Sequence, residues 1–130
     1  MRVLLDTHIF LWYITNDSRL PPEAASIIRQ PMNEVYLSVV SVWEALVKHQ
    51  LGKLPLPSPA DDYLRNRREL HRIASLPLDE ASISRLLELP AHHRDPFDRM
   101  LICQAIHHDL TIATVDREIA LYPVSRVPAG

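Results

Sequence analysis

Short apolar runs alternate with amphipathic stretches along this chain, and that alternation restricts its fold more than any other feature. Val3–Leu5, Val35–Leu37 and Leu110–Ala113 are continuous apolar runs, the pattern of strands buried on both faces of a parallel sheet. Arg72–Leu76 reads as a further strand and Val124–Val127 as a last edge strand. Helices are expected over Thr7–Ile14, from Pro21-Pro22 through Ile28, over Val40–Gln50, and from Ser58-Pro59 to about Leu70. Two more follow, Asp79–Leu89 with Ile83, Leu86 and Leu87 on one side, and one from Asp95 to about His107. Strands alternating with helices predict an α/β fold of three layers, a mainly parallel sheet of four to five strands with helices on both faces. At 130 residues the chain is expected to form a single domain spanning 1–130.

Composition removes several function classes. A net charge of −2 argues against coating nucleic acid through bulk charge, though not against a local basic patch. With only Gly52 and Gly130, a glycine-rich phosphate loop or dinucleotide fingerprint is impossible. The single Cys103 rules out a disulfide framework and fits a reducing cytoplasm. The apolar run after Met1 is too short for a signal peptide, and no run approaches the roughly 18–20 residues that span a bilayer.

Ligands of parallel sheets bind beyond the carboxyl ends of the strands, where the strand order switches. Four acids are expected there. Asp6 lies just past the first strand and Asp116 just past Leu110–Ala113. Glu44 lies in the first turns of the helix after the second strand and shares a face with Val47 and Leu51. Asp98 opens the helix capped by Asp95 and Pro96, four residues before Ile102, and so points toward the apolar side. Taken singly, each acid fits a helix cap, and Ser41-Val42-Trp43-Glu44 has the spacing of a capping box. Taken together, four carboxylates converging on one edge repel each other unless something positive lies among them. Hard cations with oxygen ligands, Mg²⁺ or Mn²⁺, supply that charge, and such ions clamp the oxygens of a phosphoryl displacement. The constellation favours metal-dependent phosphodiester hydrolysis.

Asp6 after an N-terminal strand, Glu44 within Ser-Val-Val-Ser-Val-Trp-Glu, the stretch Arg94-Asp95-Pro96-Phe97-Asp98-Arg99-Met100-Leu101, and Thr114-Val115-Asp116 together resemble PIN-domain ribonucleases. More narrowly they resemble VapC-type toxins of bacterial toxin–antitoxin pairs, over nearly the whole chain. The resemblance implies a PIN-like fold in which Asp6, Glu44, Asp98 and Asp116 bind Mg²⁺ or Mn²⁺. It implies a metal-bound water attacking the scissile phosphate of RNA, leaving a 5′-phosphate and a 3′-hydroxyl. It also implies a homodimer and a VapB-type antitoxin whose C-terminal segment blocks the acidic site.

Around these acids, Asp95 reads as a cap first and a helper to the metal ligands next. Thr7 and Thr114 are candidates to orient acids or water, or equally to bond their local backbone. Lys48, Arg94, Arg99 and Arg117 flank the acids in sequence and form a candidate basic rim for RNA phosphates, unless each pairs with a neighbouring carboxylate. Adjacent helical residues face apart, so His92-His93 and His107-His108 are not expected to chelate one zinc ion. His8 is read as a packed helix-start residue, and Trp12, Tyr13 and Trp43 as core or dimer contacts. Two rivals stay open. An Asp-dependent phosphatase also places an acid after strand one, although the second Asp of haloacid-type enzymes is replaced here by His8. A non-catalytic binding module would use the acids only as caps.

Overall fold

A computed structural model describes residues 1–91 and 95–128. The elements run β1 (Arg2–Leu5), α1 (Thr7–Ile14), α2 (Pro22–Arg29), β2 (Glu34–Ser38), α3 (Val39–Gln50), α4 (Ala60–Leu70) and β3 (Ala74–Leu76). They continue with α5 (Glu80–Ser84), a 3-10 turn (Arg85–Glu88), α6 (Pro96–His108), β4 (Thr111–Ala113), a second 3-10 turn (Arg117–Leu121) and β5 (Arg126–Val127). The five strands form one sheet in the order β3-β2-β1-β4-β5, every pair parallel.

The central strand is the most apolar one. Val3, Leu4 and Leu5 are fully buried, and their side chains alternate between two layers. Val3 and Leu5 join a cluster with Ile9, Phe10, Ile28, Val35, Leu37, Ala45, Leu64 and Ile73. Leu4 joins the other, with Val40, Leu101, Ile102, Ala105, Ile112 and Ile119. The chain steps from β1 to β2 and β3 on one side, then crosses to β4 and β5 on the other. The order therefore switches at β1, between β2 and β4, and the switch point lies at the carboxyl ends of β1 and β4.

Several boundaries depart from expectation, each for a local reason. The helix expected over Asp79–Leu89 is only α5 followed by a 3-10 turn, with Ile83 and Leu87 exposed. Ser82 is the buried residue of α5, so the face that packs is not the aliphatic one. The strand expected from Arg72 starts at Ala74, because Arg72 takes a left-handed conformation (φ 57°) that closes α4. Helix α3 starts at Val39, one turn before a Ser41–Glu44 capping box would require; Ser38 is its cap, accepting from the Val40 amide at 3.0 Å. Glu44 thus lies inside the helix.

A buried polar link ties this edge of the sheet to α6. The Ser38 hydroxyl donates to Gln104 Oε1 at 2.5 Å, and Gln104 Nε2 donates to the Pro77 carbonyl at 3.2 Å. Gln104 has no exposed surface, and these bonds pin α6 against the loops leaving β2 and β3.

Candidate active site

Asp6 is the first residue beyond β1. It has the extended backbone of a helix cap, yet its side chain makes no capping bond to α1. The carboxylate instead accepts a hydrogen bond from the Thr114 hydroxyl at 2.7 Å, across the gap between β1 and β4. The same Thr114 oxygen accepts from the Asp116 amide at 3.0 Å, which fixes the turn carrying the fourth acid. Asp6 is buried, and burial raises its pKa from the usual carboxylate value, against the hydrogen bond from Thr114 and the field of His8.

Glu44 is reached from the other side of β1. Only 2% exposed, it points from the second turn of α3 onto α1, where Thr7 donates to Oε1 at 2.7 Å. Ser41 Oγ lies 2.8 Å from the same Thr7 hydroxyl. The other carboxylate oxygen, Oε2, pairs with Lys48 Nζ at 2.6 Å, one helical turn on. Burial opposes the charge on Lys48, but its bond to Glu44 and the nearby charges of Asp95 and Asp98 prevail, so its pKa is raised. Leu51, expected on Glu44's face, is exposed at the helix end; contact with α1 is what buries the acid.

Asp95 caps α6, accepting from the Phe97 amide at 2.9 Å and the Asp98 amide at 3.4 Å. That cap sets the first turn on which Asp98 sits, half-buried. Asp116 caps the 3-10 turn after β4 through the Glu118 amide at 2.9 Å. Asp95 and Asp116 are therefore caps as well as cleft residues.

All of these acids meet in one cleft of about 310 Å³, lined by Asp6, Glu44, Asp95, Asp98 and Asp116 together with His8, Trp12, Lys48 and Val115. It opens at the carboxyl edge of the sheet, at the switch in strand order. Thr7 and Thr114 stand behind it, each bonded to a buried acid. Among the proposed basic residues, Lys48 lines the cleft and Arg117 is exposed on the 3-10 turn. Arg99 reaches the Pro90 carbonyl at 3.0 Å and the Tyr122 hydroxyl at 3.2 Å. Arg94, like His92 and His93, lies outside the described residues.

One side chain sits differently from expectation, and the aromatic residues take distinct places. His8 is exposed on the cleft wall rather than packed, because the residue after the buried Thr7 on α1 turns outward. Trp43 is 58% exposed and meets Phe97 edge-on, with ring centroids 4.8 Å apart, since Glu44 and Val40 take the inward positions of α3. Trp12 packs against the core and also forms part of the cleft wall, while Tyr13 packs as expected. Gln104 was invisible to periodicity: a polar residue in an apolar helix carries no signal of what lies opposite.

A family model of the PIN domain matches residues 3–124. The chain belongs to the PIN-domain family. PIN domains are nucleases, and two relatives of this PIN domain are both ribonucleases of Mycobacterium tuberculosis. VapC16 is 34% identical over 59 residues, covering 45% of this chain and 42% of that protein, so the alignment spans less than half of VapC16. VapC22 is 26% identical over 118 residues, covering 90% of this chain and 88% of that protein. The fold of this PIN domain is shared with the crystal structure of VapBC2 from Rickettsia felis bound to a promoter DNA fragment. There the TM-score is 0.68 at 14% identity, covering 97% of each chain.

Proposed function

We propose that residues 1–130 act as a single PIN domain, a VapC-type endoribonuclease that hydrolyses RNA phosphodiester bonds with Mg²⁺ or Mn²⁺. The observation that carries this reading is the burial of two acids, Asp6 and Glu44, in one cleft with Asp98 and Asp116. Buried carboxylates cost folding free energy unless a positive partner compensates them. An all-oxygen donor set of this kind fits a hard divalent cation and not a thiolate- or imidazole-seeking one.

Asp6, Glu44, Asp98 and Asp116 would hold the cation. When bound, it supplies an activated water and neutralises charge growing on the phosphate. The chain's own residues prepare that site. Thr114 orients Asp6, and Thr7 orients Glu44. Lys48 balances Glu44 before any cation arrives and afterwards is placed to meet a phosphate oxygen, with Arg94, Arg99 and Arg117 as further RNA contacts. Asp95 acts by setting the first turn of α6 and thereby Asp98.

By its likeness to VapC proteins, the chain is read as the toxin of a pair, a homodimer held inactive by a VapB-type antitoxin, acting in the cytoplasm. Among the described residues no helix is long and apolar enough to cross a membrane. The test is cleavage of structured RNA by purified protein with EDTA, Mg²⁺ or Mn²⁺, beside Asp98→Ala. Metal-dependent cutting that disappears in the variant supports both nuclease and site. Equal cutting by the two proteins would defeat the assignment.

A further inference from the structure

At the far end of α6 the chain gathers a second group of ligands. His107, His108 and Asp79 each offer one ligand atom, and these atoms all lie within 4.8 Å of one another. This corrects the expectation that adjacent histidines face apart. Both are in the last turn of α6, which Asp109 closes in a left-handed conformation (φ 55°), and their rings stand 4.9 Å apart. Along the helix axis the pair lies roughly 14 Å from Asp98, at the opposite edge of the sheet.

Three details make this arrangement a built one. His108 Nε2 is 3.2 Å from Asp79 Oδ2. Tetrahedral zinc with bonds near 2.0–2.1 Å separates its ligands by about 3.3 Å, so these two atoms already stand at the spacing of a coordination edge. The Ser82 amide donates to Asp79 Oδ1 at 2.8 Å, holding the carboxylate so that its other oxygen faces the histidines. Most telling, His107 Nδ1 is buried with no hydrogen-bond partner, the one such buried side-chain nitrogen or oxygen among the described residues. A buried imidazole nitrogen left without a partner is costly, so the protein's own groups leave the chemistry of His107 incomplete.

The geometry points to a zinc-type transition-metal site formed by Asp79, His107 and His108, with water completing the shell. The two nitrogens and one oxygen suit Zn²⁺ and not the Mg²⁺ or Mn²⁺ assigned to the acidic cleft. Asp79 and His108 retain 45% and 27% of their side-chain exposure, so an ion can enter. The helix C-terminus adds a favourable negative potential. Arg2 engages the His108 backbone carbonyl at 2.8 Å, and the Ser82 hydroxyl lies 3.3 Å from His108 Nε2, so the ring is held in place from both sides. Bound there, the ion would clip the start of α5 to the end of α6. The site owes nothing to the nuclease reading.

The experiment is equilibrium dialysis and calorimetry with Zn²⁺ alone, on untagged protein stripped with chelator, together with the visible absorption spectrum of the Co²⁺ form. One ion per chain is expected, with the strong visible bands of four-coordinate Co²⁺. Asp79→Asn, which keeps the Ser82 cap, should weaken Zn²⁺ at least about tenfold, and His107→Ala/His108→Ala should abolish it. Asp98→Ala should bind Zn²⁺ as the parent does. Absence of Zn²⁺ binding by the parent would overturn the proposal. So would binding that survives Asp79→Asn and the double variant unchanged, or binding that Asp98→Ala removes.

Discussion

The Thr114 hydroxyl donates to Asp6 Oδ2 at 2.7 Å, joining residues 108 positions apart and closing the gap between β1 and β4 at the floor of the acidic cleft. The bond has two consequences, one for stability and one for activity. Thr114→Val keeps the shape but removes the donor to Asp6 and the acceptor for the Asp116 amide. Urea unfolding should show a loss of about 1–2 kcal/mol, and RNA cleavage should fall with it. A variant with both properties unchanged would mean that Thr114 does not hold Asp6 in place.

Asp6→Ala and Asp98→Ala are expected to lose RNA cleavage by at least about a hundredfold while keeping the parent's far-ultraviolet circular dichroism. Asp95→Asn should be mild by comparison, because asparagine accepts from the Phe97 and Asp98 amides nearly as well as aspartate. If Asp95→Asn were as inactive as Asp98→Ala, Asp95 would have to contact the cation directly.

Lys48 and a divalent cation compete to balance Glu44. Lys48→Met leaves a carboxylate only 2% exposed without its 2.6 Å partner, so the variant should melt lower than the parent in EDTA. Mn²⁺ should then raise the Tm of Lys48→Met by more than it raises that of the parent, since the ion replaces the missing charge. Equal Mn²⁺ shifts in the two proteins would place the ion away from Glu44.

Gln104→Leu removes the acceptor of the buried Ser38 hydroxyl and the donor to the Pro77 carbonyl. The expected cost is about 2–3 kcal/mol by denaturant unfolding, large for a polar-to-apolar change in a helix core. A neutral or stabilising result would show that α6 is placed by its aliphatic contacts alone.

Much of this molecule is legible in one dimension. The apolar runs at β1, β2 and β4 announce parallel strands because a strand covered on both faces has no polar side to show. Given such strands, the position of Asp6 and Asp116 at one edge follows from connectivity; Asp98 is the exception, since its helix precedes a strand and a loop crossing the sheet edge must deliver it. What sequence spacing misreads are cases where one local pattern serves two ends. Ser41–Glu44 has the spacing of a helix cap, yet a cap belongs where the helix starts, and pairing of β2 through Ser38 carries that start three residues upstream. The aliphatic stripe of Ile83, Leu86 and Leu87 looks like a core face until the segment is laid on α6, where Ser82 takes the buried position.

Thr7 and Thr114 are nameable from sequence as candidates to orient acids, but which distant atom a side chain bonds can be read in no window of sequence. Thr7 against Glu44, Thr114 against Asp6, Gln104 between Ser38 and Pro77, and the His107–His108 pair against Asp79 are separated by between 27 and 108 positions where the hydrogen bonds are direct. Hydrophobic periodicity reports how each element meets the core, because burial acts on every residue of a face alike. Hydrogen bonds and coordination act between single atoms a few ångströms apart, and such distances exist only once the sheet order and the register of β1 with β2 and β4 have set them. The fold class was therefore written in the pattern of apolar residues, and the poise of the acids in the packing that brought their partners to them.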